Sequence, residues 1–228
     1  SMEIMARGRN LRYPYLVGEW ILLARSWGEQ FGGIILQAHG VRSYIGSMLT
    51  LVTVLERLTS APHCRKFVDV WQQWRGVKMV PERSDIDPVM LGASMAAISI
   101  LQVRAPDQII RRMSGSAIVE FTGRRRDGEN MVDLAPPEQR EERILRHQNM
   151  INVPCGAWLA REAVGNTGAV GTLEAILLPV SNDKAPDQPF IYIGQDIRKS
   201  DRWELDEVST DIELARDFEY IDIGAGVP

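Results

Sequence analysis

The sequence predicts an α+β fold, and three observations carry that expectation. Apolar residues at helical spacing fill the chain up to Arg75, and strand-like runs take over from Ala96. The strands then come as a pair, a helical middle and three more. A sheet with an apolar face needs helices to cover it, and this order supplies them from the N-terminal side and from the middle. With 228 residues, 45% hydrophobic and 25% charged, the chain is long enough for one sizeable core and a smaller helical annex.

The elements follow in order. Leu16, Trp20, Leu23 and Trp27 fall on one face of a helix over about Tyr15 to Gln30, which Gly32-Gly33 stops. Ser43 to Thr59, rich in Met48, Leu49, Leu51, Val52, Leu55 and Leu58, reads as a second helix, with strand as the alternative its β-branched residues leave open. Pro62 suits the first turn of a third helix that aligns Phe67, Val70, Trp71 and Trp74, and Gly76 closes it. The first two helices carry more apolar surface than a lone helix can cover. They are expected to join two copies in a homodimer or to pack on the sheet of their own chain.

A polar connector runs from Met79 to Pro88. Ala97 to Arg104 and Gln108 to Ser114 then form a hairpin about Pro106-Asp107. Ser116 to Leu134 is broken by Gly123 and Gly128, and Pro136-Pro137 opens a helix to about Ile151. Three strands follow, Ala157 to Val164, Thr172 to Val180 and Phe190 to Ile197, with Asn166-Thr167-Gly168 as a turn. The acidic stretch from Asp201 to Pro228 reads as a tail, with Leu205, Val208, Ile212 and Leu214 marking a short helix.

Composition excludes several functions. A balance of 26 basic against 30 acidic residues offers no electropositive footprint for nucleic acid. Cys64 and Cys155 belong to no disulfide framework or zinc spacing, which fits a reducing cytoplasm, and no apolar run reaches the length of a membrane span. Arg7, Arg9 and Arg12 precede an apolar run, but no small-residue cleavage site follows Leu23, so a cytoplasmic location is expected.

The motifs that could carry chemistry mostly have a plainer reading. Asp85 and Asp87 lack a third acid or histidine to complete a metal shell and read as turn residues bonding local amides, with Arg83 as an ion-pair partner. His39, His63 and His147 are the only histidine bases, and no glycine elbow surrounds a serine. Gly165-Asn166-Thr167-Gly168 lacks the lysine of a phosphate loop and suits a hairpin. Arg124-Arg125-Arg126 is offset by Asp127 and Glu129, as in a solvated loop.

Three polar residues stand out on apolar faces. Glu174 shares parity with Ile176, Leu178 and Val180, Gln195 shares parity with Ile191, Ile193 and Ile197, and His147 lies on the stripe of Ile144 and Ile151. Buried polar groups need partners, which the chain or a pocket ligand can supply.

Trp74-Arg75, Pro81-x-Arg83-x-Asp85-x-Asp87-Pro88, Arg112-Met113-x-Gly115-Ser116, Gly123 and Glu174-x-Ile176-x-Leu178-Pro179 together resemble the PAS-like family of small proteins in alphaproteobacteria. The resemblance covers about Phe67 to Ile197. It implies a five-stranded antiparallel PAS sheet cupped by helices, a role in signalling or ligand sensing, and no characteristic catalytic set. Residues 1–61 are then an N-terminal helical extension, 62–200 the sensory domain and 201–228 the tail. Arg112, from the third motif, joins His147, Glu174 and Gln195 as a pocket candidate.

The cofactor stays unassigned. Some PAS sensors ligate haem through a histidine in the region of His147, but nothing else supports haem here, and Cys155 does not match the helical cysteine motif of a photoactive flavin. The expected function is a non-enzymatic sensor that binds a small ligand or a protein partner and signals through protein–protein contact. The alternatives are a small isomerase-like enzyme with Glu174 as its pocket acid, and a structural dimerisation module.

Overall fold

The structure, a computed structural model, describes residues 53–203 and 212–228. The helix expected over Tyr15 to Gln30, and with it the expected dimer stripe, lies outside the described residues. Of the segment Ser43 to Thr59, residues 53–57 are helical and run into a 3-10 turn, Leu58–Ser60. Val54, Leu58 and Ala61 are buried in the same core as the helix that follows, so the packed unit begins before Pro62.

Helix α1 (Pro62–Arg75) has proline in its first turn and ends at Gly76, whose φ of 55° is in the region glycine favours. Its apolar stripe buries Phe67, Val70, Trp71 and Trp74. Ala61 supplies no side-chain cap. A carboxylate remote in sequence does so instead, Asp196 Oδ2 accepting a 2.8 Å bond from the first-turn amide of Cys64. Three more bonds fix the helix to the body: Trp71 Nε1 donates to Pro179 O at 3.0 Å, Trp74 Nε1 to Asp87 O at 3.2 Å, and Arg75 Nη1 to Ile223 O at 2.8 Å.

The connector folds as its acids suggest. Asp85 Oδ2 accepts from the Glu82 amide and Asp87 Oδ1 from the Val89 amide. Arg83 is not the partner of either acid. Lys78 pairs with Asp85 at 2.7 Å, and Arg83 lies 4.8 Å from the centre of the Phe190 ring.

The sheet comprises β1 (Ile98–Ala105), β2 (Gln108–Met113), β3 (Cys155–Val164), β4 (Ala169–Val180), β5 (Phe190–Trp203) and β6 (Asp217–Asp222). All its pairings are antiparallel, in the order β2-β1-β5-β4-β3-β6. The hairpin at Pro106-Asp107 joins β1 to β2, and β5 lies beside β1, as expected. Helices α2 (Ser116–Thr122) and α3 (Arg140–Asn152) fall between β2 and β3.

Among the described residues the sheet has six strands rather than the expected five. The extra one, β6, lies in the segment read as an acidic tail, where Phe218 and Tyr220 face one side of the sheet and Ile221 and Ile223 the other. Ile212 and Leu214 are not helical, because their amides bond Leu134 O and the Gln139 side chain instead. Leu205 and Val208 lie outside the described residues.

Both faces of the sheet are covered. Ile98, Ile176, Leu178 and Val180 pack under α1, while Leu101, Leu173, Ala175, Leu177, Ile191 and Ile193 pack under Phe121 of α2 and Met150 of α3. That is why Leu173 to Val180 is buried without alternation. Contact with α1 is close at Gly194, where an added Cβ would stand 2.7 Å from Phe67 Cδ1 and 2.8 Å from its Cβ. Gly194→Ala is therefore expected to destabilise the fold by about 1–3 kcal/mol, read as a lower urea midpoint at unchanged slope. An unchanged midpoint would contradict this packing.

Candidate functional site

Between the α3-side face of the sheet and α3 itself lies a cavity of about 110 Å³. Its floor is apolar, formed by Leu101, Leu173, Ala175, Leu177 and Ile193. Met150 and His147 of α3 line it opposite, and residues 212–215 with Phe218 close one side.

His147 lines the cavity, and its Nδ1 donates to Arg143 O at 2.7 Å. This leaves Nε2 as the acceptor of the neutral ring. Burial pushes the His147 pKa down to about 4 against the smaller opposing effect of that hydrogen bond, and the nearby Arg143 and Arg146 charges push the same way as burial. Gln195 also lines the cavity. Its Oε1 accepts from Ser99 Oγ at 2.7 Å, so its amide nitrogen remains available to donate.

The other two candidates are elsewhere. Glu174 points to the opposite face of the sheet, where Trp158 Nε1 donates to its carboxylate at 2.9 Å, and its neighbours Leu173 and Ala175 face the cavity instead. Arg112 is exposed, and strand alternation turns the adjacent Arg111 inward to line the cavity.

Arg111 belongs to a group that sequence reasoning missed. Arg111 from β2, Arg143 from α3 and Arg161 from β3 all line the cavity. Desolvation lowers the pKa of Arg111 and Arg143 to about 10, and that of Arg161 is lowered as well, also mainly by burial. All three remain cations at neutral pH. Parity with Ile109, the one-turn spacing from His147 and parity with Leu159 were the signals that place them here.

A family model described as a PAS domain matches residues 59–193, more than half of the chain. The chain belongs to the PAS domain family. Among solved structures it is similar to a fungal LOV-domain photoreceptor, at 18% identity and a TM-score of 0.34, over 49% of this chain and 80% of that one. No curated protein matches the chain. PAS domains are typically sensory and regulatory rather than catalytic. No described helix is long and apolar enough to cross a membrane, and no group of three or more histidine, cysteine or acidic residues suited to a metal occurs among the described residues.

The two cysteines of this PAS domain are both buried. Burial raises the Cys64 pKa, and burial, with Asp222 nearby, pushes that of Cys155 to about 11, so both are thiols at neutral pH.

The depressed His147 pKa has a consequence for stability. As pH falls from the ordinary value of 6.5 toward about 4, the unfolded chain takes up a proton that the folded chain refuses. The stability due to a neutral His147 is therefore complete above 6.5 and is lost on acidification across that window. The loss is on the order of 2 kcal/mol, discounted for partial exposure. His147→Gln is expected to remove this part of the difference between urea midpoints at pH 7 and pH 4.5. Equal pH dependence in the two proteins would contradict the assignment.

Proposed function

We propose that this PAS domain senses a small molecule held in the cavity under α3, and passes occupancy to a protein partner through the segment that leads into β6. The observation that carries this reading is the cavity itself, with His147 and Gln195 presenting polar atoms among apolar walls. Its volume of about 110 Å³ is below that of the ~150 Å³ engineered cavity that holds benzene, which suits a compact ligand.

Residues 212–215 supply the route out. They line the cavity, and Arg143 and Arg146 on α3 donate to the carbonyls of Ile212 and Ala215 just before β6 begins. A ligand that draws on those arginines changes how the segment is held. The output is a contact with another protein in the cytoplasm, and the working form is a homodimer joined through the N-terminal helices.

Native mass spectrometry of the purified full chain checks the ligand. A small mass retained by the wild type and lost in Ala175→Leu, which fills the cavity floor, is the expected result. Failure to retain any mass, together with no thermal shift across a library of small polar compounds, would remove the sensing reading. For the dimer, light scattering is expected to give twice the chain mass for the full protein and the single-chain mass for a chain starting at residue 50, which keeps the buried Val54 and Leu58. A shortened chain that stays dimeric would move the interface elsewhere.

A further inference from the structure

The polar lining of the cavity carries more positive charge than the described residues neutralise. Among the described residues, no carboxylate forms an ion pair with Arg111, Arg143 or Arg161. Arg111 and Arg143 are only 8% and 4% exposed. Arg111 Nε donates to Met131 Sδ at 3.4 Å, a weak acceptor. Arg143 donates to Ile212 O and still has its Nε buried without a partner.

Among the described residues, Glu213 is the one acid in the lining; it is exposed at the rim and acts on Arg161 through space. Asp127 and Glu129 act on Arg111 but are paired with Arg125 and Arg126. Arg146, the fourth arginine in the lining, is paired with Glu142.

A buried guanidinium lacking a counter-charge is costly, and an anion that completes its hydrogen bonds removes the cost. The planar fork of arginine fits a carboxylate with two parallel bonds. Beside the arginines, Leu101, Leu173, Leu177 and Ile193 offer hydrocarbon rather than further donors, so a bare phosphate would leave most of the wall unused.

We infer that the cavity is a site for a small carboxylic acid with a short apolar body, its carboxylate held by Arg111, Arg143 and Arg161 and its hydrocarbon by the leucine-lined floor. This rests on the reading of the cavity as the sensor pocket. Glu213 competes weakly for Arg161 while the site lacks its acid.

The test is calorimetric titration of the full chain at pH 7 and fixed ionic strength with butyrate, butyramide, 1-butanol and inorganic phosphate. Butyrate is expected to bind in preference to the other three. Arg143→Gln and Arg161→Gln should each weaken it by about 10-fold or more, and Glu213→Gln should strengthen it by about 2-fold or more. Arg161→Gln, on a half-buried residue, keeps the test open if Arg143→Gln does not fold, with circular dichroism as the check. Binding of butyramide or butanol as tight as that of butyrate would overturn the acid assignment and leave the sensor pocket standing. Phosphate binding equal to that of butyrate, or butyrate binding indifferent to both arginine variants, would also overturn the acid assignment. Binding of none of the four would overturn it too, and the sensor pocket falls with it only where no mass is retained and no compound of the library gives a thermal shift.

Discussion

The bond from the Cys64 amide to Asp196 sets the register on which both faces of the sheet depend. Strand β5 lies between β1 and β4, and successive residues of it serve opposite sides. Ile193 and Gln195 face the cavity, while Gly194 lies under Phe67 and Asp196 caps α1. A slip of one residue would put Gln195 under α1 and Asp196 in the cavity, among hydrocarbon and arginines, and every contact on both faces would be lost together. Helix capping, close packing at a glycine and pocket lining are thus one constraint seen from two sides.

The same region holds two buried acids. Glu174 and Asp196 are cross-strand partners on β4 and β5, and both are under a tenth exposed. Like charges placed opposite one another are ordinarily destabilising. Here the N-terminus of α1 faces Asp196 and the indole of Trp158 faces Glu174, so each carboxylate has its own donor. Glu174 is therefore held in the core under α1 as the acceptor of the Trp158 indole.

Much of the fold was legible because its signals are periodic. The apolar runs of β4 and β5, the stripe of α1 and the turns at Pro106-Asp107 and Gly165–Gly168 appear in the structure where local pattern puts them. Parity showed that Glu174 and Gln195 point into packed interiors but not that the sheet has two interiors, Glu174 facing the one under α1 and Gln195 the cavity under α3. The same ambiguity hid Arg111 behind Arg112, since one residue decides between cavity and solvent. The last strand was masked for a different reason: Phe218 and Tyr220 alternate with acids in a segment whose net charge resembles that of a solvated tail, and Ile212 extends the helical spacing of Leu205 and Val208 while its amide bonds Leu134.

Arg143 joins the cavity to the segment before β6, and its donors are finite. One nitrogen holds the Ile212 carbonyl and another is buried without a partner beside the cavity. Its carbonyl in turn orients His147 through Nδ1. On the proposed reading, an acid in the cavity acts on a side chain that is already bonded to residue 212, a few positions from the strand that closes the sheet. Re-aiming that guanidinium by even a fraction of an ångström strengthens one bond at the expense of the other, because hydrogen-bond energy falls steeply with misalignment. The short path from ligand charge to backbone carbonyl needs no large cavity and no long-range rearrangement. What the proposed path needs is an under-satisfied guanidinium, and the unpartnered Nε of Arg143 meets that condition.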